Sequence, residues 1–434
     1  ASFEWPGYCV ARLVFLQARR AFKDAIFPNP TMADVVDRFG PSYRASYDKA
    51  MLPSHREALE SIAVCRTPAA GGQVVRCADC GTESYVWRSC RNRACTKCTR
   101  LKGEDWLQAR RAELLPVPYF HIVFTVPESL RRTFRKHQEA LYSAIMASSS
   151  ETLTEVARDP RHLGGDIGVM AVLHTWTRTL EYHPHVHCLV PAGYLDSQGG
   201  WHEVSRPWLA PHEVLANVFR AKLCAKMRAA VPRLQLPGSA YSKPWVVHVD
   251  LPLHGKDVVL TYLARYVHRG PMSESRLLSM DDKFVTFKYR DRERKDWKVM
   301  TLKGREFLRR YLQHVLPKGF HRVRYYGFWA TAKRPQLKIL RAKLVSEAGR
   351  REGAAAAAPV ARRECRCRAC DSNRVSIVRF FGRGDPIPQL RHPGTASGLV
   401  PTPIGSGLSF TAHYKALTAR WVLPIQVHPP PGPS

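Results

Sequence analysis

The distribution of cysteine is the feature that most constrains this chain. Six of its twelve cysteines lie between residues 65 and 98, and four of them form two CxxC pairs at the ends of CADCGTESYVWRSCRNRACTKC, residues 77 to 98. Such clustering is typical of metal binding rather than of a disulfide framework. The gap between the two pairs matches a four-thiolate zinc site. We therefore predict a structural zinc ion on Cys77, Cys80, Cys95 and Cys98, with Cys65 and Cys90 as spare thiols or exchangeable ligands.

Basic residues surround this predicted module. The whole chain holds 67 Lys and Arg against 36 Asp and Glu, a formal net charge of +31. Such an excess favours a polyanionic partner, most commonly nucleic acid. A cationic zinc module suits phosphate backbones, although a purely structural module with solvated arginines is the alternative. The candidate DNA-binding residues here are Arg88, Arg91, Arg93, Lys97 and Arg100.

A second motif, HPHVH, carries histidine at every second position, followed by the apolar run CLVP. In a β-strand, alternate side chains share a face, so His185 and His187 can converge on one metal ion. Pro184 cannot donate to a sheet ladder and is expected at a strand start or edge. A half-buried strand with purely structural histidines is the alternative.

The preceding segment supports a hairpin. Residues 166–176 and 185–195 both have strand character and are joined by eight residues. If the two strands are antiparallel neighbours, His174 lies beside the start of the second strand. We therefore predict a divalent metal site on His174, His185 and His187.

A tyrosine pair lies in the predicted helix GKDVVLTYLARYVHR. Tyr262 and Tyr266 are four residues apart and so share one helix face, near Arg265. Packing in the core is the alternative for such a pair. Arg265 and Arg269 are further candidates for contact with DNA.

The chain divides into four parts. We predict a helical N-terminal arm over 1–60, a zinc-binding, DNA-contacting module over 61–112, and a mixed helix and strand domain over 113–335. Residues 336–434 read as a linker and low-complexity tail, rich in Ala, then in Pro, Gly and Ser. Within the tail, CRCRAC offers one CxxC, Cys367 and Cys370. A complete zinc site there would have to use Cys365 and a histidine such as His392.

Five motifs in order resemble a known family. They are SCRNRACTKC, PYFHIVFTVPESLR, VLHTWTRTLEYHPHVHCLVPAGYL, YLARYVHR and LPKGFHRVRYYGFWA. Over residues 60 to 330 the chain is similar to the rolling-circle transposases of the IS-ninety-one group of bacterial insertion sequences. The resemblance implies an α+β fold, an HUH endonuclease core with a central antiparallel sheet and flanking helices, preceded by the zinc module and the helical arm.

The resemblance also implies an activity. Members of such a family nick and rejoin single-stranded DNA at the ends of an insertion sequence through a 5′-phosphotyrosine intermediate. The nucleophiles would be Tyr262 and Tyr266. The histidine site would hold Mg²⁺ or Mn²⁺, and three imidazoles suit Mn²⁺ better. Zinc would occupy the N-terminal module, with one or two ions possible, and no nucleotide cofactor is needed.

The expected partners follow from this activity. They are single-stranded DNA with terminal hairpins of the element and, in addition, the host replication machinery, with no membrane partner. No long apolar run or signal-peptide layout is present, so we expect a cytoplasmic, nucleoid-associated protein. A plasmid relaxase or replication initiator with the same chemistry is an alternative, weakened by the lack of a GxxxxGK[ST] motif. A non-catalytic, zinc-dependent DNA-binding regulator is another.

Overall fold

The computed structural model describes residues 29–99, 106, 110–111, 113–204, 210–255, 258–259, 270–291, 294, 296–351 and 365–391. Within this part of the chain, no helix combines the length and apolar composition needed to cross a membrane.

The strands form four antiparallel sheets within the described residues. The strands are β1 (Gly72–Cys77), β2 (Glu83–Trp87), β3 (Tyr119–Thr125), β4 (Gly168–Trp176), β5 (Tyr182–Pro191), β6 (Gly193–Leu195), β7 (Trp201–Glu203), β8 (Val247–Val249), β9 (Leu277–Met280), β10 (Phe284–Arg290), β11 (Trp297–Lys303), β12 (Val323–Gly327) and β13 (Val375–Phe381).

The α-helices lie mainly between these strands. They are α1 (Met32–Tyr47), α2 (Pro53–Val64), α3 (Glu128–Lys136), α4 (Gln138–Arg158), α5 (His212–Ala230), α6 (Ser239–Ser242), α7 (Gly304–Leu312) and α8 (Arg334–Arg351). Two helices, α3 and α4, follow β3, because the chain leaves helical geometry between them at His137, with φ −122° and ψ 52°.

The central sheet has five strands in the order β12-β4-β5-β3-β8, so that β5 lies in the middle. One face of this sheet is apolar, because alternate side chains along each strand point the same way and are hydrophobic at these positions. That face comprises Phe120, Ile122, Phe124, Val169, Ala171, Leu173, Val186, Cys188 and Val190, and it packs with residues of α4 and α5. The predicted α+β class with a central antiparallel sheet is confirmed.

The opposite face of the sheet mixes apolar and polar side chains. Tyr119, Met170, Val172 and Leu189 pack there with residues of α8 and with Val259. Between them lies a row of histidines, which is described below. The sheet therefore separates an apolar core from a face that can carry chemistry.

The N-terminal helices do not form a separate arm. Helices α1 and α2 pack in one hydrophobic core with α7 and with the β9-β10-β11 sheet, and Cys65, Cys95 and Cys98 belong to the same core. The expectation of helices before the cysteine module agrees with residues 32–64, whereas residues 1–28 lie outside the described part of the chain.

A small sheet joins distant parts of the chain. Its order is β13-β1-β2, and β13 pairs antiparallel with β1 from Gly72 opposite Phe381 to Cys77 opposite Val375. The expectation of a linker and tail over 336–434 is therefore wrong for α8 and for residues 365–391. The sequence signal was weak because a single strand of seven residues is hard to recognise without its pairing partner.

A buried carboxylate holds this sheet together. The side chain of Glu83 on β2 is fully buried and accepts hydrogen bonds from Arg76 at 2.6 Å, Arg379 at 2.6 Å and the backbone N–H of Arg391 at 2.8 Å. Burial alone would raise the pKa of Glu83, but these donors outweigh it and the pKa is lowered. Glu83 thus links β1 and β2 to the C-terminal segment.

We expect Glu83→Gln to loosen β13. The substitution removes the charge that pairs with Arg76 and Arg379, and losing hydrogen bonds of this kind costs about 1–3 kcal/mol. Amide hydrogen exchange in residues 375–381 should then accelerate by roughly 5- to 150-fold. Asp371→Asn is the matched control, because the Asp371 and Arg366 pair is exposed and such pairs contribute little. Equal exchange rates in Glu83→Gln and wild type would contradict this role.

Candidate active site and cysteine clusters

The hairpin of β4 and β5 brings the predicted histidines together. His174 lies directly opposite His185, and His187 lies opposite Val172. The register shifts between His174 and Trp176, so that β5 carries an extra residue there. A bulge of this kind tolerates Pro184 inside a central strand. The connection between the strands is residues 177–181, shorter than predicted, because β5 begins at Tyr182.

The three imidazoles converge on one point of the sheet face. One ring nitrogen from each of His174, His185 and His187 lies within 4.8 Å of the others. The ring centroids are 4.6 Å apart for His174 and His187, 4.9 Å for His185 and His187, and 5.5 Å for His174 and His185. This geometry fits a shared metal ion.

Burial keeps two of these imidazoles neutral, those of His185 and His187. Desolvation lowers the pKa of His185 to about 4 and lowers the pKa of His187 well below its usual value, with neighbouring histidines adding to the effect at His187. A metal ligand must be an unprotonated imidazole. His185 and His187 are therefore in their metal-binding form at neutral pH.

Further groups orient two of the rings. His185 Nδ1 lies 2.6 Å from the carbonyl oxygen of His183. His187 Nδ1 lies 2.9 Å from Nε2 of His121, and His121 Nδ1 contacts the carboxylate of Asp250. Such partners fix the tautomer and orientation of a metal-binding histidine. They leave Nε2 of His185 and His187 as the nitrogens directed to a metal.

These groups form a polar row across the sheet. Asp250 follows β8, His121 lies on β3, His187 and His185 on β5, and His174 on β4. Sequence reasoning did not identify His121 and Asp250. The alternation in YFHIVFT places His121 on the face opposite its two apolar neighbours, but nothing local indicates that β8 pairs with β3.

The tyrosine pair lies outside the described residues, as do Arg265 and Arg269. The nearest described residues on either side are Val259 and Gly270. Val259 is buried with Met170 and Val172 on the histidine face of the central sheet. Gly270 lines a cleft with Trp176.

This cleft lies between the cysteine module and the central sheet. Its volume is about 230 Å³. Trp176 in its wall stacks on His174 with ring centroids 4.5 Å apart, and the guanidinium of Arg322 lies 5.9 Å from the Trp176 ring centroid. Desolvation lowers the pKa of Arg322 to about 10, which leaves it charged at neutral pH. The other basic residues that line the cleft are Arg91, Arg93 and Lys318.

The predicted zinc ligand set is wrong in its pairing. Cys95 and Cys98 do not meet Cys77 and Cys80. They form a four-sulfur cluster with the two cysteines predicted to be spare, Cys65 and Cys90. Cys98 Sγ lies 3.5 Å from Cys65 Sγ and 3.6 Å from Cys90 Sγ. We call Cys65, Cys90, Cys95 and Cys98 the first cluster.

The physical reason is the path of the chain around β1 and β2. Cys77 ends β1 and Cys80 follows it in the turn toward β2, at the end of the small sheet where β13 begins. Cys77 and Cys80 meet Cys367 and Cys370 there, in a second cluster. Cys365 is not part of it, and His392 lies outside the described residues.

The basic residues of the module have different surroundings. Arg93 donates hydrogen bonds to the backbone carbonyls of Phe320 and Pro317, and its distance to the Pro317 oxygen is 3.3 Å. Arg93 therefore links the module to the domain of the central sheet. Arg91 lines the cleft, while Arg88 lines a second pocket beside α2. Lys97 lies between two cysteines of the first cluster, and Arg100 lies outside the described residues.

Two solved structures are similar to parts of this chain. Both are of the conjugative relaxase TrwC in complex with oriT DNA, one metal-bound and one metal-free. The metal-bound structure has a TM-score of 0.23 at 14% identity, covering 31% of this chain and 49% of that chain, so the match spans about half of the relaxase. The metal-free structure has a TM-score of 0.22 at 12% identity, covering 53% and 73%.

Sequence relatives give a closer relationship. The family model described as "Putative transposase" matches residues 168–336, and that described as "Transposase zinc-binding domain" matches residues 35–126. The chain is 39% identical to "Putative transposase y4qJ" of Sinorhizobium fredii over 71% of this chain and 82% of that protein. It is 28% identical to "Transposase for insertion sequence element IS801" of Pseudomonas savastanoi pv. phaseolicola, over 63% and 70%. The chain belongs to the IS-ninety-one group of insertion-sequence transposases.

Proposed function

We propose that this transposase nicks and rejoins single-stranded DNA by metal-dependent HUH chemistry. The observation that carries the proposal is the convergence of His174, His185 and His187 within 4.8 Å on one face of the central sheet. In a transposase, imidazoles that converge in this way can hold the divalent metal ion that HUH chemistry requires.

The residues fit a divalent ion. Three ring nitrogens converge, the rings of His185 and His187 are neutral, and His121 and the His183 carbonyl orient these two rings. Three imidazoles suit Mn²⁺ or another transition ion better than Mg²⁺, which prefers oxygen ligands. When bound, the ion would draw charge from the non-bridging oxygens of the scissile phosphate.

Tyr262 and Tyr266 are the proposed nucleophiles. Val259, three residues before Tyr262, packs on the histidine face, and Gly270, four residues after Tyr266, lines the cleft beside Trp176. The positions of these two flanking residues support the assignment of the tyrosines to the histidine site. A phenol has a pKa of about 10, so its attack needs help from nearby positive charge.

The reaction is a transesterification. The phenol oxygen of one tyrosine forms a bond to phosphorus, and the bond from phosphorus to the 3′ oxygen breaks. The phenol proton is lost and the departing 3′ oxygen gains one, so the products are a 5′-phosphotyrosine and a free 3′-hydroxyl. The ester energy stays in the phosphotyrosine, so that rejoining needs no nucleotide cofactor.

The cleft is the proposed path of the DNA strand. Arg91 and Lys318 supply positive charge for phosphates, and the Trp176 ring lies near Arg322 and stacks with His174. Basic side chains with an aromatic surface are the usual combination for single-stranded nucleic acid. The strand would leave the cleft at the histidine cluster.

The first cluster is the proposed structural zinc site. It lies within residues 35–126, matched by the transposase zinc-binding domain, and its sulfurs belong to a hydrophobic core with α1, α2 and α7. Zinc there would stabilise the packing of this core.

We further propose that the protein works on the bacterial nucleoid, where single-stranded ends of the element and the replication machinery are found.

Nicking of a labelled single strand tests the histidine site. The His185→Ala and His187→Ala double variant should lose Mn²⁺-dependent nicking by at least roughly 10³-fold, because the metal contributes several kcal/mol to transition-state stabilisation. Binding of single-stranded DNA should persist. His202→Gln is the control, since His202 lies on β7 and outside the cluster. Undiminished nicking by the double variant would place the chemistry elsewhere, and absence of nicking by the wild-type protein would indicate a non-catalytic DNA-binding regulator.

Asp250→Asn tests the orienting role of the polar row. Loss of such a partner typically costs about 10- to 100-fold in metal affinity, so the Mn²⁺ midpoint for nicking should rise by about that factor, with activity restored at high Mn²⁺. Asp196→Asn is the control, because Asp196 pairs with His202 at 2.7 Å outside the polar row. A purely structural role would lower the folded fraction and leave the Mn²⁺ midpoint where it was.

Phenylalanine substitutions test the nucleophiles, since they remove only the attacking oxygen. Either Tyr262→Phe or Tyr266→Phe alone should still form a covalent protein–DNA adduct but lose complete strand transfer, and the double variant should form no adduct. Tyr289→Phe serves as the control. An adduct that persists in the double variant, mapped by peptide mass to another residue, would refute the assignment. Loss of the adduct in only one single variant would indicate one nucleophile, as in a one-tyrosine relaxase or initiator.

A further inference from the structure

The second cluster joins two CxxC pairs from distant parts of the chain. Cys77 and Cys80 lie at the end of β1, and Cys367 and Cys370 precede β13. Neither family model reaches Cys367, since they end at residues 126 and 336. We propose that these four cysteines bind a second zinc ion, which fastens residues 365–391 to the cysteine module.

The sulfur distances fit a tetrahedral metal site. Cys77 Sγ lies 3.6 Å from Cys370 Sγ, and Cys80 Sγ lies 3.6 Å from Cys367 Sγ. Four thiolates at about 2.3 Å from a zinc ion are separated by about 3.8 Å along each edge of the tetrahedron. A disulfide would need about 2.0 Å. The arrangement therefore fits a shared ion and not a pair of cross-links.

The two CxxC turns have the same backbone geometry. The N–H of Gly81 donates to the carbonyl of Cys77 at 3.1 Å, and the N–H of Asp371 donates to the carbonyl of Cys367 at 2.8 Å. Gly81 and Asp371, each directly after the second cysteine, have positive φ values of 69° and 58°. Each pair thus presents its two sulfurs from the same kind of tight turn, as paired zinc-binding turns do.

Contacts between the two turns support the same interpretation. Asp79 in the first turn accepts a hydrogen bond from Ser372 at 2.5 Å and pairs with Arg374 at 2.7 Å in the second. The backbone N–H of Ala78 donates to the carbonyl of Arg374 at 2.8 Å. Together with β13 and Glu83, these contacts form a three-stranded ribbon closed at one end by the cysteines.

The two clusters differ in exposure. Each cluster has one partly exposed cysteine, Cys90 in the first and Cys80 in the second, but Cys370 of the second cluster is exposed, whereas the other three cysteines of the first cluster are buried. A chelator should therefore reach the second cluster first. Bringing Cys367 to Cys80 across a separation of 287 residues also costs chain entropy, and the ion would add to the contacts of Glu83 and β13 that offset this cost.

Zinc content tests the site without any nicking assay. Freshly purified wild-type chain should contain one zinc ion more than the Cys367→Ser and Cys370→Ser double variant. Cys365→Ser is the matched control, because it removes a nearby exposed cysteine outside the cluster, and it should contain as much zinc as wild type. Equal zinc content in wild type and the double variant would overturn the proposal.

Limited trypsin digestion tests the attachment. Cys77→Ser, although far from the tail in sequence, should expose cleavage after Arg374, Arg379 and Arg383 as strongly as Cys367→Ser does, while Cys365→Ser leaves these sites protected. Loss of zinc without exposure of these sites would refute the fastening role.

Wild-type protein gives a check that needs no variant. A chelator should release zinc in two phases, and the trypsin sites of the C-terminal segment should open with the first phase, because the second cluster is the more exposed. Release of all the zinc in one phase, or exposure of the trypsin sites only in the second phase, would refute the proposal.

Discussion

The candidate active site depends on the antiparallel pairing of β5 with β4 on one side and β3 on the other. Side chains alternate across a strand, so this register alone decides that His174, His185, His187 and His121 share a face. A slip of one residue would turn the imidazoles of β5 into the apolar core beneath α4 and α5. The apolar residues of that core, such as Val186 on β5, therefore hold the register on which the site depends.

Burial of a polar row needs compensation. An imidazole removed from water without hydrogen-bond partners destabilises the fold. Here the His183 carbonyl is the partner of His185, and His121, itself in contact with Asp250, is the partner of His187. The same burial lowers the pKa of His185 and His187 and keeps them neutral. One feature, desolvation, thus makes the site costly to fold and suited to bind metal.

Local features could be predicted from the sequence, whereas the pairing of strands and cysteines that are distant in the chain could not. The hairpin and the set His174, His185 and His187 followed from alternation and from the closeness of two strands in the chain. His121 and Asp250 were missed because they join the site through pairing between distant strands. The cysteines show the same limit: spacing indicated metal binding, but the first CxxC pair is completed by cysteines near the C-terminal end of the described chain, which no local spacing could reveal.

The distance between the two halves of the second cluster has a consequence for synthesis. Cys80 leaves the ribosome 287 residues ahead of Cys367, which at about 5–20 residues per second is roughly 15–60 s. During that interval the central sheet can form while β1 still lacks β13 and the two early thiols remain without their partners. The ribbon can therefore be completed only after the ribosome has synthesised the whole domain of the central sheet, since β13 follows that domain in the chain.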